Sequence, residues 1–390
     1  MPKRLPLPSE AARLAPMIPE TISPPTRNLL GPGPSNVPPS VLEAMQRPQL
    51  GHLDPAYLGI MDEIQTMLRE VFITENEMTF PVSGTGSAGM EFCLVNLIEP
   101  GDEVVIGVNG YFGGRLADIA ARCGAKVTTV ESDWGDIIRP EQIAATLETV
   151  SPKLVAIVHA ETSTGVLTPV EEISRVAHEA GALMVLDTVT SLGGCPVRID
   201  GWQIDAAYSA SQKCLGSACG VAPVTLSPRA METVAKRKTP VQSFYLDVNL
   251  LKKYWGGTPR AYHHTAPILM NYALHEALRL VLEEGLENRW ARHEANHRAL
   301  ADGLAEQGLE LAAPEAIRLW QLNPVRVPEG VDEAAVRLAL LNDHNLEVGP
   351  GLGPLKGKVW RVGLMGHSSQ PENVRAFLGA METLLAGAAA

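Results

Sequence analysis

Residues 182–191 read ALMVLDTVTS, an apolar run that ends at Asp187 and passes into small polar residues. Continuous Val, Leu and Met content of this kind is typical of a strand buried on both faces of a largely parallel sheet. Four further runs share this character: DEVVIGVN (102–109), AKVTTVES (125–132), KLVAIVHAE (153–161) and GVAPVTLS (220–227). Helical stretches between them cover 91–97, 111–122 and 170–180. This alternation predicts an α/β sandwich.

The C-terminal third of the chain has a different pattern. From about residue 268 to 307 it is long and helical, and Gly285 interrupts it, so we place a domain boundary there. Two predicted strands follow, RLWQLNPVRV (318–327) and KVWRVGLMG (358–366), with two predicted helices, EAAVRLALLNDH (333–344) and ENVRAFLGAMETLL (372–385). We therefore predict a proline-rich extended arm over 1–27, a large domain over 28–284 and a smaller α+β domain over 285–390.

The composition limits the classes of function. With 390 residues, 45% of them hydrophobic and 19% charged, the chain has the profile of a globular protein with two domains. Its net charge of −12 argues against a nucleic-acid partner, because phosphate backbones repel an acidic protein. No apolar run reaches the roughly 18–20 residues that span a bilayer, so no membrane segment is expected. The five cysteines show no C-x-x-C spacing and the N-terminus has no continuous apolar signal segment, so we expect buried free thiols and a cytoplasmic location.

The stretch SGTGSAGMEF (83–92) contains Gly84, Gly86 and Gly89 in the G-x-G-x-x-G pattern of dinucleotide sites. A NAD site also needs an acid at the end of the following strand to hold the ribose, and here that strand ends in Asn109. What remains is a turn of small residues that leads into a helix N-terminus, where free N–H groups and the helix dipole favour a phosphate. A tight turn that binds nothing is the alternative.

Three later stretches bear on the chemistry. VLDTVTSLGG (185–194) places Asp187 at the end of a strand, where a carboxylate needs a cation or a donor. YSASQKCLG (208–216) places Lys213 in an apolar context, and HAETSTGVLTP (159–169) is a polar loop at the carboxyl end of a strand. Taken singly, Asp187 could be a helix cap and Lys213 could be a surface lysine. Together, a lysine, a carboxylate and a phosphate-binding turn are what pyridoxal phosphate requires.

The chain resembles the alanine–glyoxylate/serine–pyruvate aminotransferase family of class V, fold-type I pyridoxal-phosphate enzymes. The resemblance runs from LLGPGPSNVPP (29–39) to KVWRVGLMG (358–366), and the motifs between occur in the family's order: NLIEPGD, ETSTGV, DTVTSLGG, SASQK, SFYLD and YHHT. It implies a large domain with a mostly parallel seven-stranded sheet between helices and a smaller C-terminal α+β domain. It also implies transfer of the amino group of a small amino acid, alanine or serine, to glyoxylate or pyruvate.

The resemblance implies a role for each residue that matches a family motif. Lys213 carries pyridoxal phosphate as a Schiff base and moves the proton between the substrate Cα and the cofactor, and Asp187 pairs with the pyridine nitrogen. Phe112 stacks on the ring, and Thr162 reaches the ring hydroxyl. Four residues hold the phosphate: Thr85, Gly86, Ser87 and Gln212.

The same resemblance implies the substrate contacts and a shared site. Arg361 binds the substrate carboxylate through bidentate hydrogen bonds, which a lysine makes poorly. Gly33, within the 31–34 backbone, borders the substrate. Tyr262 and Thr265 reach the phosphate of the neighbouring subunit, so the active unit is a homodimer.

The match to the family is incomplete at two positions, and a pair of adjacent histidines elsewhere in the chain raises the question of a metal site. Ser87 stands where the family commonly has histidine, and Phe112 where it commonly has tryptophan. The adjacent His263 and His264 suggest a metal, but neighbours on a strand point apart and no carboxylate or cysteine completes a site, so no metal is expected.

Alternatives from other classes remain. A nicotinamide dehydrogenase would rest on Gly84–Gly89 alone. Another class V transaminase, of a serine–glyoxylate or aminoethylphosphonate type, would use the same cofactor on a different small substrate. A cysteine desulfurase would need a reactive cysteine in a late loop, and no cysteine follows Cys219. A non-catalytic relative would most simply lack one of Lys213, Asp187 and Arg361, and all three are present.

Overall fold

The structure, a computed structural model, describes residues 21–388. Most of the predicted arm, residues 1–20, lies outside the described residues, and residues 21–27 carry neither helix nor strand. Helices α1 to α12 are Pro39–Ala44, Pro55–Phe72, Gly86–Leu97, Tyr111–Arg122, Pro140–Leu147, Val170–Glu179, Pro228–Ala235, Val248–Trp255, Ile268–Glu284, Leu286–Glu306, Glu333–Asp343 and Pro371–Ala388. Strands β1 to β14 are Asn28–Leu29, Met78–Ser83, Glu103–Val108, Lys126–Glu131, Leu154–Val158, Ala160–Glu161, Val166–Leu167, Leu183–Asp187, Ala206–Tyr208, Val221–Leu226, Leu322–Arg326, Leu346–Glu347, Gly349–Pro350 and Val359–Gly363.

The central sheet has seven strands in the order β2-β10-β9-β8-β5-β3-β4. Strands β4, β3, β5, β8 and β9 pair in parallel, whereas β10 runs antiparallel to both of its neighbours. Each of the five apolar runs in the sequence contains one of these strands. The prediction of an α/β fold built on a mostly parallel seven-stranded sheet is confirmed.

Both faces of this sheet are covered. Along β3, Val104 and Ile106 belong to one apolar cluster while Val105 belongs to another, as the alternation of side chains along a strand requires. Helices α3 and α4 contribute apolar side chains to the first cluster, and α6 contributes Ile173 and Ala177 to the second. This double burial explains why the strands read as continuous apolar runs.

The C-terminal part forms its own core around an antiparallel sheet of order β11-β14-β13. Trp360 on β14 is fully buried there together with Phe377 on α12. The start of the described chain joins this core, since β1 pairs in parallel with β12 and Leu30 lies in the same apolar cluster.

Polar contacts connect α9, α10 and the loops of the central sheet. Gly285, with φ +81°, lies between the two helices. Glu284 accepts from both Arg289 (2.6 Å) and Arg292 (2.6 Å). Arg289 also donates to the carbonyl oxygens of Gly193 at 3.1 Å and Cys214 at 2.6 Å.

The cysteine prediction needs one correction. All five cysteines are free, but Cys219 is exposed, because it lies in the loop before β10 rather than in the packed interior. Across residues 21–388, none of the helices combines the length and the apolar character needed to cross a membrane.

Candidate active site

The site lies where the parallel strands end. Strand β8 ends at Asp187, and the loop after β9 carries Lys213. Thr162 follows β5, and Phe112 opens α4 just after β3. Thr85 follows β2, which runs in the same direction as these strands because it is antiparallel to the reversed β10. Since carboxyl ends of parallel strands share one edge of a sheet, segments distant in sequence converge there.

A cavity opens at this edge. Eight of the residues that the sequence predicts for the site line it: Thr85, Gly86, Ser87, Phe112, Thr162, Asp187, Gln212 and Lys213. Seven lining residues were not singled out by the sequence analysis: Met90, Arg115, Val158, Ala160, Val189, Thr190 and Ala210.

Asp187 is 4% exposed and held by two donors. Its Oδ2 accepts from the Tyr208 hydroxyl at 2.7 Å, and its Oδ1 accepts from the Val189 N–H at 2.8 Å. Burial raises the pKa of its carboxyl to about 6, and these two hydrogen bonds only partly oppose that effect. A cationic group placed against this carboxylate would therefore be strongly favoured.

Lys213 is enclosed by the segment that follows β1. Its Nζ donates to the Pro32 carbonyl, and Gly33 lies against the Lys213 side chain with φ +104°, a backbone conformation that favours glycine. Ser35 fastens the lysine loop, since its hydroxyl donates to the Lys213 carbonyl at 2.9 Å. Burial lowers the pKa of the Lys213 amine to about 8.

The turn at residues 85–87 has the features of a phosphate site. It opens α3, and the first N–H groups of a helix have no carbonyl partner within the helix. A Cβ on Gly86 would lie 3.0 Å from the Ala210 Cβ, so glycine lets the helix end approach the lysine loop closely. From that loop, the Oε1 atom of Gln212 is buried without a partner among the described residues.

Arg361, on β14, points its guanidinium toward the Thr162 backbone after β6. Its Nε donates to the Pro350 carbonyl at 2.7 Å and its Nη1 to the Thr162 carbonyl at 3.2 Å. Burial lowers the pKa of the guanidinium to about 10. Both partners are neutral carbonyls, so the positive charge is still available to an anion.

Glu161 was missed by sequence reasoning, although it lies inside the quoted ETSTGV motif. It is fully buried at the N-terminus of α4 and accepts from the N–H groups of Phe112 (3.0 Å) and Gly113 (3.3 Å). The hydroxyl of Ser163 donates to it at 2.6 Å and accepts from the Tyr111 N–H at 2.9 Å. These contacts fix the backbone that carries the Phe112 ring.

Tyr262 and Thr265 lie apart from this cavity. Both are exposed in the single chain, Tyr262 to 58%, and the Tyr262 ring lies 4.8 Å from the His52 ring. Their predicted role toward a neighbouring subunit stays a prediction. His264, between them, is bonded through Nε2 to Ser83 Oγ at 2.7 Å. Within residues 21–388, His, Cys, Asp and Glu side chains form no cluster of three or more that suits a metal ion.

The residues present suit pyridoxal phosphate. A buried amine with a lowered pKa suits its aldehyde, and a buried carboxylate in need of a cation suits its ring nitrogen. The first N–H groups of α3 and the Ser87 hydroxyl lie at this cavity, where they can donate to a phosphate.

Comparisons with known proteins agree with this geometry. The model of the family "Aminotransferase class-V" matches residues 27–352. The (S)-ureidoglycine–glyoxylate transaminase of Bacillus subtilis is 41% identical over 93% of this chain and 91% of its own length. The alanine–glyoxylate aminotransferase of Drosophila melanogaster is 40% identical over 90% of each chain. The crystal structure of alanine–glyoxylate aminotransferase from Nostoc sp. superposes with a TM-score of 0.93 at 52% identity, covering 95% of this chain and 98% of that one. The chain belongs to the class-V aminotransferase family.

Proposed function

We propose that this enzyme uses pyridoxal phosphate to move the amino group of a small amino acid, alanine or serine, to glyoxylate or pyruvate. The observation that carries the proposal is that Lys213 and Asp187 line one cavity at the carboxyl edge of the sheet, while Arg361 donates to the carbonyl of Thr162 in the wall of that cavity. The named activities of the relatives, alanine–glyoxylate and ureidoglycine–glyoxylate transamination, support glyoxylate as the acceptor.

Each residue has a distinct task in this proposal. When bound, pyridoxal phosphate withdraws electrons from the substrate Cα, which acidifies the proton there. The Nζ of Lys213 removes that proton and returns it, because an amine with a pKa of about 8 exchanges protons readily near neutral pH. The Asp187 carboxylate keeps a positive charge on the ring nitrogen, and Phe112 covers one face of the ring. Arg361 binds the substrate carboxylate.

The proposal favours substrates with one carboxylate. Arg361 is bonded to the Thr162 carbonyl at the cavity wall, whereas the other guanidinium of the cavity, that of Arg115, contacts Ser87 in the phosphate turn. A second carboxylate on the substrate would therefore be partly desolvated without a partner, which is costly.

We further propose a homodimer. Tyr262 and Phe244 are 58% and 70% exposed in the single chain, which is high for large aromatic side chains. Phe244 stacks on His263 with the ring centroids 5.1 Å apart, so these residues form one continuous aromatic surface. A second copy of the chain would cover this surface and receive Tyr262 at its phosphate turn.

A panel of amino donors tests the activity. We expect alanine or serine with glyoxylate or pyruvate to exceed glutamate with 2-oxoglutarate by about 100-fold in kcat/KM, equivalent to about 2.7 kcal/mol. (S)-Ureidoglycine belongs in the panel because of the Bacillus subtilis relative. Glutamate matching alanine would contradict the small-substrate assignment.

Arg361 variants provide the matched control. Arg361→Ala should raise KM for the small amino acid and for the small oxo acid alike, because both present the same carboxylate. Arg361→Lys should restore only part of the loss, since an ammonium cannot make two parallel hydrogen bonds. An effect on only one of the two substrates would place Arg361 outside the shared carboxylate site.

A further inference from the structure

Arg115 is a cavity residue without an assigned role. It lies on α4, and its Nη1 donates to Ser87 Oγ at 3.1 Å. Its guanidinium carbon is 5.0 Å from the centroid of the Phe112 ring and 5.1 Å from that of the Tyr111 ring, distances at which a cation is attracted to aromatic rings. These contacts hold the guanidinium beside the start of α3.

Most of the donor capacity of Arg115 is unused. A guanidinium has five N–H donors, and within residues 21–388 its hydrogen bond to Ser87 is the only one that Arg115 makes. Because Ser87 Oγ accepts from Arg115, its own O–H is free to donate. The arrangement thus presents several donors and one positive charge to the same point, next to the first N–H groups of α3.

The charge of the proposed phosphate site is otherwise incomplete. A phosphate monoester carries about −1.5 to −2 charges near neutral pH. None of the residues proposed to hold it is charged: they are Thr85, Gly86, Ser87 and Gln212 of one subunit, with Tyr262 and Thr265 from a second copy. Where the family commonly has a histidine, this chain has Ser87, which cannot supply a charge. An anion in a partly enclosed site needs an opposite charge nearby.

We propose that Arg115 is the cation of the cofactor-phosphate site, donating to the phosphate and to Ser87 at once. This inference rests on the proposed function, since it requires pyridoxal phosphate in this cavity. It makes Arg115 a binding residue for the phosphate rather than for the substrate. The rings of Tyr111 and Phe112 position its guanidinium.

The test compares two aldehydes that differ only in the phosphate. Dissociation constants of the apoenzyme for pyridoxal phosphate and for pyridoxal are measured by fluorescence quenching in wild type, Arg115→Gln and Arg115→Lys. The matched control is Arg122→Gln, an exposed arginine of the same helix that pairs with Asp118 at 2.9 Å. Thermal melting of each apoenzyme monitors folding.

We expect Arg115→Gln to raise the Kd for pyridoxal phosphate by about 10- to 100-fold, the range of one charge-assisted hydrogen bond. The Kd for pyridoxal should stay within about twofold, because pyridoxal lacks the group that Arg115 binds. Arg115→Lys should fall between wild type and Arg115→Gln, since it keeps the charge without the planar donors. Arg122→Gln should match wild type. Inorganic phosphate should protect the wild-type apoenzyme against heat and should protect Arg115→Gln less.

Failures of the two proposals are distinguishable. A wild-type protein that does not bind pyridoxal phosphate would overturn the proposed function, and this inference with it. Normal binding in wild type with an unchanged Arg115→Gln, or with pyridoxal weakened equally, would overturn the inference alone and leave Arg115 a structural residue. An Arg115→Gln variant that loses only activity toward dicarboxylates would instead assign Arg115 to the substrate.

Discussion

The amine of Lys213 lies under the Pro32 carbonyl and the Gly33 backbone and is largely buried. Burial disfavours its charged form, and the nearby Arg361 guanidinium acts in the same direction. Asp187 opposes both effects, but the pKa of the amine still falls to about 8. A neutral amine is the nucleophile toward an aldehyde, so this residue is prepared for covalent capture of the cofactor.

The first prediction concerns the pH dependence of that capture. The rate at which apoenzyme binds pyridoxal phosphate covalently should rise with pH and reach half its maximum near pH 8, because the fraction of neutral amine rises through the lowered pKa. An ordinary lysine, with a pKa of about 10.4, would give a midpoint more than two pH units higher. Stopped-flow absorbance measures the rate.

Lys213→Ala should form no borohydride-stable adduct and should have no turnover, and full activity in that variant would contradict the aminotransferase proposal.

Asp187→Asn tests the role of the buried carboxylate. We expect kcat to fall about a thousandfold, which corresponds to about 4 kcal/mol of barrier stabilisation, because a neutral amide no longer holds a charge on the ring nitrogen. The apoenzyme should be no less stable at pH 7, since burial disfavours the Asp187 carboxylate in the folded state.

Tyr208→Phe is the companion variant for Asp187→Asn. It removes one hydrogen bond to the carboxylate but leaves the charge in place, so we expect a loss of about 10-fold in kcat. Steady-state kinetics and thermal melting of both variants separate catalysis from folding. A near-normal kcat in Asp187→Asn would make Asp187 a structural residue.

At the scale of single elements, the N-terminus of α4 depends on Glu161. An aspartate, serine or threonine just before a helix usually caps it locally, but Gly110 has no side chain to do so. The Glu161 carboxylate, on β6 and about fifty residues further along the chain, caps the helix instead and holds the Phe112 backbone. This contact joins two loops of the site, so helix stability and cofactor binding should change together.

Glu161→Gln is the corresponding prediction. The amide keeps one acceptor oxygen but turns an NH₂ group toward backbone or hydroxyl donors, so we expect a loss of about 1–3 kcal/mol in unfolding free energy. The Kd for pyridoxal phosphate should also rise several-fold as Phe112 loses its anchor.

Asp332→Ala supplies the control for the α4 cap. It removes the N-cap of α11, away from the site, and should lower stability by about 1 kcal/mol without changing cofactor affinity. Urea denaturation and fluorescence titration give the two quantities. Equal cofactor affinity in Glu161→Gln and wild type would show that the cap serves stability alone.

The sequence predicts the central strands well because their apolar runs follow directly from burial on both faces. A strand before the 84–89 turn is plausible from the sequence, but β2 is not one of the apolar runs, because it contains Pro81, which is tolerated at the edge of the sheet. Strand β9 is only three residues long, and its apolar content does not stand out from the loop around it.

Within the candidate site, too, some residues can be identified from the local sequence and others cannot. Lys213, Asp187 and the 85–87 turn are identified by their chemistry and their neighbours in sequence. Tyr208 and Arg115 act through contacts that only folding creates. Tyr208 reaches Asp187 because β9 pairs in parallel with β8 and sets these two residues side by side. Arg115 meets Ser87 because α4 packs beside α3.

At the scale of the whole molecule, the proposed homodimer predicts that two inactive variants complement each other. If Tyr262 serves the partner's phosphate turn, a hybrid of Lys213→Ala and Tyr262→Ala subunits contains one site with both residues intact. Mixing and refolding the two should restore about a quarter of the wild-type activity per subunit, from half of the dimers with one working site each.

The hybrid experiment needs proof of subunit exchange. Differently tagged subunits purified in tandem provide it, and each variant refolded alone is the control. Hybrids that form but stay inactive would place Tyr262 in its own subunit's site or outside any site. Sedimentation of the wild type as a monomer would remove the shared-site proposal.

The contacts of Glu284, Arg289 and Arg292 bear on how the enzyme moves. Gly285 has the sequence character of a hinge, yet its neighbours are joined by charge-assisted hydrogen bonds, and Arg289 grips the carbonyl of the residue that follows Lys213. A rotation at Gly285 would have to break several of these bonds, each worth about 1.5–3 kcal/mol. A rotation at Gly285 is therefore costly, and we expect amino acid and oxo acid to exchange at the site without it.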